Sequence, residues 1–420
     1  LEMDQEWSIL DEYGNAVASQ IIDKISTDAK LLFIAIDVPS IGYKTYQLVE
    51  KNSQPSNSSL QFTRDTLENQ FLKAEIDKNS GLLKQIFDKQ NQRQVLSDER
   101  GNLLQIFKNE TNDAWNLKLT TPPVELDQLV ETSLVEFGPV RTTIKVVHSF
   151  SGEKRPHPTE DFPTSIFTQY ISLYDGLPYL EVRNDMMWWE EHKVLKVAFP
   201  FNVTADQARY EIPYGSIERP TGFESAFEKA RFEVPAQRWA DLSDGEYGVS
   251  LLNDCKHGYD TKGNVMRLSL LRAPTYPDPM ADKGYHEFKY AIYPHKGDFR
   301  EGKVFRKGFE FNEPFIVTRT EEHDGDLPKS FSFVSVEPEN VILNSIKMSE
   351  DFDNALILRV YETDGKAAAV QIKTPYQIIK VEEVNMIEDK ISDLTTEGKS
   401  FGFEISPNEI RTFRIELQKN

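Results

Sequence analysis

The sequence predicts an all-β protein, built as a large antiparallel β-sandwich flanked by smaller β-sandwiches. Three observations carry this reading. Apolar residues recur with period two over nearly the whole chain, the spacing at which every second side chain of a strand meets a core. Strand-like runs are separated by short turns bearing Gly, Asp and Asn, the residues that close hairpins. Helical periodicity is hard to find, and Ser225–Phe232, with room for two turns, is a weak candidate.

The elements follow in order. Phe71–Asp77 and Leu82–Asp88 flank Lys78-Asn79-Ser80-Gly81, where Gly81 can take the positive φ of a tight turn. Over Val140–Val146 the apolar Val140, Ile144 and Val146 share a face with Thr142, while Arg141, Thr143 and Lys145 face away. Ile166–Tyr174 and Tyr179–Arg183 are two strands joined through Asp175-Gly176-Leu177-Pro178. Leu356–Glu362 and Lys366–Lys373 flank Thr363-Asp364-Gly365 and read as a further hairpin.

Composition places the breaks. Lys51–Ser59 is polar and rich in Ser and Asn, as a linker would be, and Glu321–Lys329 is a second such stretch. The chain divides into a small partial β domain at 1–52, a large β-sandwich at 60–320 and a C-terminal β-sandwich at 330–420. The middle block exceeds an ordinary sandwich of ~100 residues, which points to stacked large sheets. The first piece is too short to hold a core alone, so it must pack on the middle or pair with sequence outside the chain.

Lys and Arg number 48 against 68 Asp and Glu, a net charge of −20 in 420 residues. A field of that sign repels phosphate backbones and anionic lipid, so no nucleic-acid or membrane partner is expected. No apolar window approaches the ~20 residues that span a bilayer, and no signal-peptide pattern opens the chain. The single cysteine, Cys255, excludes an internal disulfide and a Cys-only zinc site, and fits a reducing compartment.

Chemistry-bearing residues crowd between Met186 and His295. Met187-Trp188-Trp189-Glu190-Glu191-His192 sets two indoles beside carboxylates, as for stacking a pyranose, or else one indole is core and the other lies on a strand face. Arg219, Arg238, Trp239 and Asp241 form either a polar cluster at a site or pairs that only fix loops. Leu270–Pro279 reads as a strand ending in a loop stiffened by Pro274, Pro277 and Pro279, suited to presenting side chains. His286 and His295 are nine residues apart, and no local spacing assembles a metal site. No nucleophile elbow, Walker loop or dinucleotide fingerprint occurs, and Cys255 beside His257 reads as a packed thiol.

Several runs carry a family resemblance: LKVAFPFNV (195–203), YEIPYGSIERPT (210–221), PAQRWADLSDGEYGVSLLNDCKHGYD (235–260), LSLLRAPTYPDPMADKGYHEFKYAIYPH (268–295) and LILRVYETDGKAAAVQI (356–372). With GNLLQIFKNETNDAWN (101–116) and VPSIGYKTYQLV (38–49), they resemble, in order, the C-terminal β portion of family 38 α-mannosidases, nearest the bacterial and cytosolic-type branch. The resemblance implies a mutarotase-like supersandwich and a retaining, zinc-dependent enzyme that cleaves α-mannosides through an aspartate nucleophile. In that family the nucleophile and the zinc (or other divalent metal) ligands belong to an N-terminal α/β barrel. No Gly-His-x-His-x-Asp segment occurs here, so this chain alone is expected to lack catalytic residues and metal ligands.

By the same resemblance, Asp113 and Trp115, with Arg272, Tyr276, Asp282 and His286, are expected to line the substrate rim; Asn116 stands where the family pattern has an acid. The implied partners are the N-terminal catalytic barrel of the same enzyme and an α-mannoside oligosaccharide, with a homo-oligomer possible and a cytoplasmic location. Two other readings stand beside it. One is a self-standing carbohydrate-binding sandwich that uses Trp115 or Trp188. The other is a mutarotase- or lyase-like enzyme in which His192, His286 or His295 converge.

Overall fold

A computed structural model describes residues 7–25, 28–50, 58–152, 165–351 and 354–418, and their regular secondary structure is nearly all strand. Residues 51–57 of the expected linker lie outside the described residues. Glu321–Lys329 carries neither strand nor helix.

Two sheets make the large sandwich. A nine-stranded antiparallel sheet runs from the edge strand Leu129–Glu136 through Ser165–Tyr174, Leu180–Trp188 and the thirteen-residue Gly284–Lys296 to Gly215–Pro220. A six-stranded sheet faces it, centred on Leu103–Lys108, Lys193–Pro200 and Val265–Arg272. The alternation explains the layering: Leu104, Ile106, Leu195, Val197 and Leu268 from one sheet meet Ile144, Val146, Phe167, Val182 and Ile292 from the other in one core. Within it Tyr290, Asn102, Gln169 and Asn184 bond one another at 2.6–3.1 Å, a buried polar group whose members satisfy each other. The strands Leu72–Ile76 and Leu83–Asp88 pair as expected, with Gly81 at φ 74 in their turn.

The C-terminal block is a second sandwich of three and five strands around Leu358, Val370, Phe401 and Phe413. One expectation is corrected here. Ala355–Glu362 and Ala368–Lys373 are not a hairpin, because they belong to different sheets, paired with Ile410–Leu417 and Ser400–Ile405 respectively. The turn between them is an arch, stabilised by the buried Glu362 carboxylate, which accepts the N–H groups of Asp364, Gly365 and Asn408. Residue types at a hairpin and at an arch are the same, and only the facing sheet distinguishes them.

Helix Ala226–Ala230 occupies the expected place, with Ser225 and Glu228 forming a capping box. A second helix, Val304–Asn312, was not anticipated. It starts at Lys303 in the left-handed region without a side-chain cap, and so carries no start signal. Its Val304, Phe305 and Phe311 pack with Trp239 of the large sandwich and with Ile342 and Tyr361 of the C-terminal one.

The N-terminal piece packs on both neighbours. Gln20 bonds Glu136 and the backbone of Arg141, and Gly42–Lys44 pairs with Ser330–Ser332. Gly42 is required there, since a Cβ would lie 2.0 Å from the Phe331 carbonyl oxygen.

Candidate functional site

The six expected rim residues lie in one cluster at the end of the large sandwich where Val265–Arg272 stops and Gly284–Lys296 starts. Segment 109–119 is a loop closed on itself. Its buried Asn109 accepts the Lys118 N–H at 2.8 Å, and Thr111 Oγ1 donates to the Asn116 carbonyl at 2.6 Å. Asp113 Oδ1 accepts the N–H groups of Trp115 and Asn116 at 2.8 and 2.7 Å, a turn that polar residues of this size favour. Those donors, Asn116 foremost, hold the Asp113 carboxyl below the usual range.

The second loop, 273–283, docks on the first backbone to backbone. Asp113 bridges Tyr276, Ala114 N–H donates to the Tyr276 carbonyl, and Thr275 and Tyr276 both donate to the Asn112 carbonyl. Arg272 fastens the junction: its guanidinium donates to the carbonyls of Ala114 and Asp113 at 2.8 Å each, and to that of Asn116. Asp282, at φ 58, accepts the Arg272 N–H, and its own carbonyl accepts from His286 Nε2 at 2.7 Å.

The side chains therefore divide by role. Asp113, Arg272, Asp282 and His286 are engaged inside the cluster. Trp115 and Tyr276 stand out from it, 71% and 57% exposed, with ring centroids 5.8 Å apart at 60°. Two aromatic faces beside bound carbonyls can hold the apolar side of a sugar. Sequence reasoning singled out Glu191 and His192 but missed their part: the connection 189–192 buttresses the 273–283 loop through Lys283 Nζ on Glu191 at 2.6 Å and His192 on Thr275 at 2.8 Å, and the 109–119 loop through the Asn109 N–H on the His192 carbonyl at 2.8 Å. Those partners are some ninety residues apart, and no local signal joins them.

Of the other candidates, Glu191 and His192 reach this cluster through Lys283 and Thr275, and those that follow do not. Trp188 is fully buried against Phe167, so it offers no stacking face; Trp189 is partly exposed. Arg238 is spent on Glu211 and on the Phe309 ring, and Trp239 is core. Cys255 is exposed and not the packed thiol expected, but burial of its sulfur, then Asp254, pushes the thiol up to about 11, which does not suit a nucleophile. His286 and His295 lie at opposite ends of one strand, roughly 30 Å apart at the strand rise, so the three histidines do not converge.

His295 instead pairs with Asp241 at 2.8 Å, both buried, and Ser250 and Ser243 donate to the same carboxylate. The ring is seated between Gly248 and Gly302, where a Cβ at either would fall within 2.5 Å of it. Burial pulls its pKa down, but the Asp241 charge and hydrogen bond outweigh this, and the net shift is upward from 6.5. A raised folded value means stabilisation fully present below 6.5 and lost as pH rises through the folded value. The thermal midpoint of the chain is thus expected to fall on going from acidic to alkaline pH. Asp241→Asn should flatten that profile in a melting series; an unchanged slope would refute the assignment.

Among the described residues, no group of three or more His, Cys, Asp or Glu is placed to hold a metal ion, so the implied zinc has no fitting donor set there. No helix among them is long and apolar enough to cross a membrane.

Residues 67–280 match the glycosyl hydrolases family 38 C-terminal domain, and residues 340–413 match that family's C-terminal beta sandwich domain. The chain belongs to glycoside hydrolase family 38. Among family 38 relatives it is 33% identical over 360 residues to alpha-mannosidase G of Dictyostelium discoideum, covering 83% of this chain and 32% of that protein. It is 37% identical over 261 residues to alpha-mannosidase 2C1 of Mus musculus, covering 61% of this chain and 25% of that protein. The chain thus spans a third or less of the length of these curated relatives. In structure it matches an alpha-mannosidase from Enterococcus faecalis V583 with a TM-score of 0.82 at 16% identity, over 98% of this chain and 51% of the other. At that identity the likeness shows the fold alone, an all-β fold shared with about half of that chain.

Proposed function

We propose that this chain is the C-terminal β region of a zinc-dependent, retaining α-mannosidase, and that it supports a catalytic barrel preceding it in the same polypeptide. In this reading the zinc ligands and the nucleophile lie in that barrel, and the 109–119 and 273–283 loops line its substrate entrance. Trp115 and Tyr276 contact the glycoside, while Asp113, Arg272, Asp282 and His286 hold the loops that carry them. The observation behind this reading is the meeting of two exposed aromatic rings on loops locked by Arg272, in a chain of this family. A cytoplasmic location is part of the proposal, supported by the lone Cys255 and by the likeness to the cytosolic-type branch.

The test is hydrolysis of an aryl α-mannoside. Residues 1–420 alone are expected to give no turnover, and the polypeptide joined to the preceding region is expected to turn over with zinc. Trp115→Ala should lower kcat/KM about tenfold in the latter, the loss of one aromatic contact. Zinc-dependent turnover by residues 1–420 alone would overturn the proposal. Glycan binding by those residues, lost in Trp115→Ala, would favour a self-standing binding module.

A further inference from the structure

His192 closes the connection between Leu180–Trp188 and Lys193–Pro200, and three segments meet on it. Its N–H donates to the Ala273 carbonyl at 2.7 Å, and its carbonyl accepts the Asn109 N–H at 2.8 Å. Its Nε2 lies 2.8 Å from Thr275 Oγ1. Its backbone sits at φ 52, a left-handed conformation that a residue with a Cβ adopts at a cost. Such conformations persist where the surroundings over-determine them, and they gather at sites whose geometry is used.

We propose that His192 is the positioning residue of the substrate rim. The 109–119 loop carries Trp115 and the 273–283 loop carries Tyr276. His192 fixes the separation of the two loops through its backbone, and the seat of Tyr276 through its ring on Thr275. Thr275 stands next to Tyr276 and donates with it to Asn112, so a shift at its hydroxyl turns the Tyr276 ring relative to Trp115. His192 itself touches no substrate. This inference rests on the reading of those rings as glycoside contacts.

The experiment uses the polypeptide with its preceding catalytic region and an aryl α-mannoside. His192→Gly keeps the left-handed backbone and both main-chain bonds while removing the ring. Thr275→Val removes the hydroxyl partner, and Thr275→Ser restores it. His192→Gly and Thr275→Val are each expected to raise KM about fivefold with kcat unchanged, as for one lost hydrogen bond in a binding surface. The double variant should be no worse than either single, and Thr275→Ser should match the parent. Loss of folded protein would instead lower the apparent kcat at constant KM. A KM within about twofold of the parent for His192→Gly, alongside a raised KM for Trp115→Ala, overturns the positioning role. No effect of Trp115→Ala overturns the rim reading beneath it.

Discussion

Lys196→Met is expected to destabilise the fold by about 3 kcal/mol, read as a lowered urea midpoint. Lys196 is 1% exposed, and its Nζ lies between the Asp260 carboxylate at 2.7 Å and that of Glu233, with the Phe107 ring 5.9 Å away. Its register partners across the six-stranded sheet are Gln105 and Ser269, so the ammonium sits in the middle of a sheet face. Methionine fills the same volume, and no cavity is created. The loss comes from two carboxylates left without their shared cation. It falls at the lower end of the ~3–5 kcal/mol for broken buried pairs, because each acid keeps a partner. Arg267 still donates to Asp260 at 2.6 Å and Ser269 to Glu233 at 3.0 Å. Adding Asp260→Asn and Glu233→Gln to Lys196→Met should recover most of the loss, since the stranded charges are then gone. A single variant within about 1 kcal/mol of the parent would show the network to be solvated.

How far the fold was legible follows from what alternation encodes. Period two marks a strand and its buried face, and so located Val140–Val146 and Ile166–Tyr174 correctly; it carries no information on which sheet a strand joins. The arch at Thr363–Gly365 looked like a hairpin for that reason. Helix Val304–Asn312 was illegible because its start, Lys303, lacks every capping feature. At the site, the resemblance assembled six residues that local spacing could not, and the fold does bring them together. The sequence could not assign their parts. Arg272 looked like a ligand for sugar, and its guanidinium is occupied by three backbone carbonyls. Trp188 and Trp189 are neighbours in sequence, and strand parity sends the first into the core.

Arg272 accordingly carries the largest functional prediction. A planar guanidinium reaches the carbonyls of Asp113, Ala114 and Asn116 at once because its N–H groups form a fixed fork. Lysine offers one compact ammonium and cannot span the three, so Arg272→Lys should fail almost as fully as Arg272→Ala. The loop carrying Trp115 would then be tied to its neighbour only by the backbone bonds of Asn112 and Ala114. On the proposed rim reading, a displacement of roughly 1 Å in a substrate-positioning group costs about a hundredfold, and in the polypeptide joined to its preceding catalytic region both variants are expected to lower kcat/KM on an aryl α-mannoside by that order. Trp115→Ala, which deletes one ring and leaves the frame intact, should cost about tenfold. The ordering is the test. Arg272→Lys milder than Trp115→Ala would mean that the loop keeps its shape without the fork, and that Arg272 is a surface contact like any other.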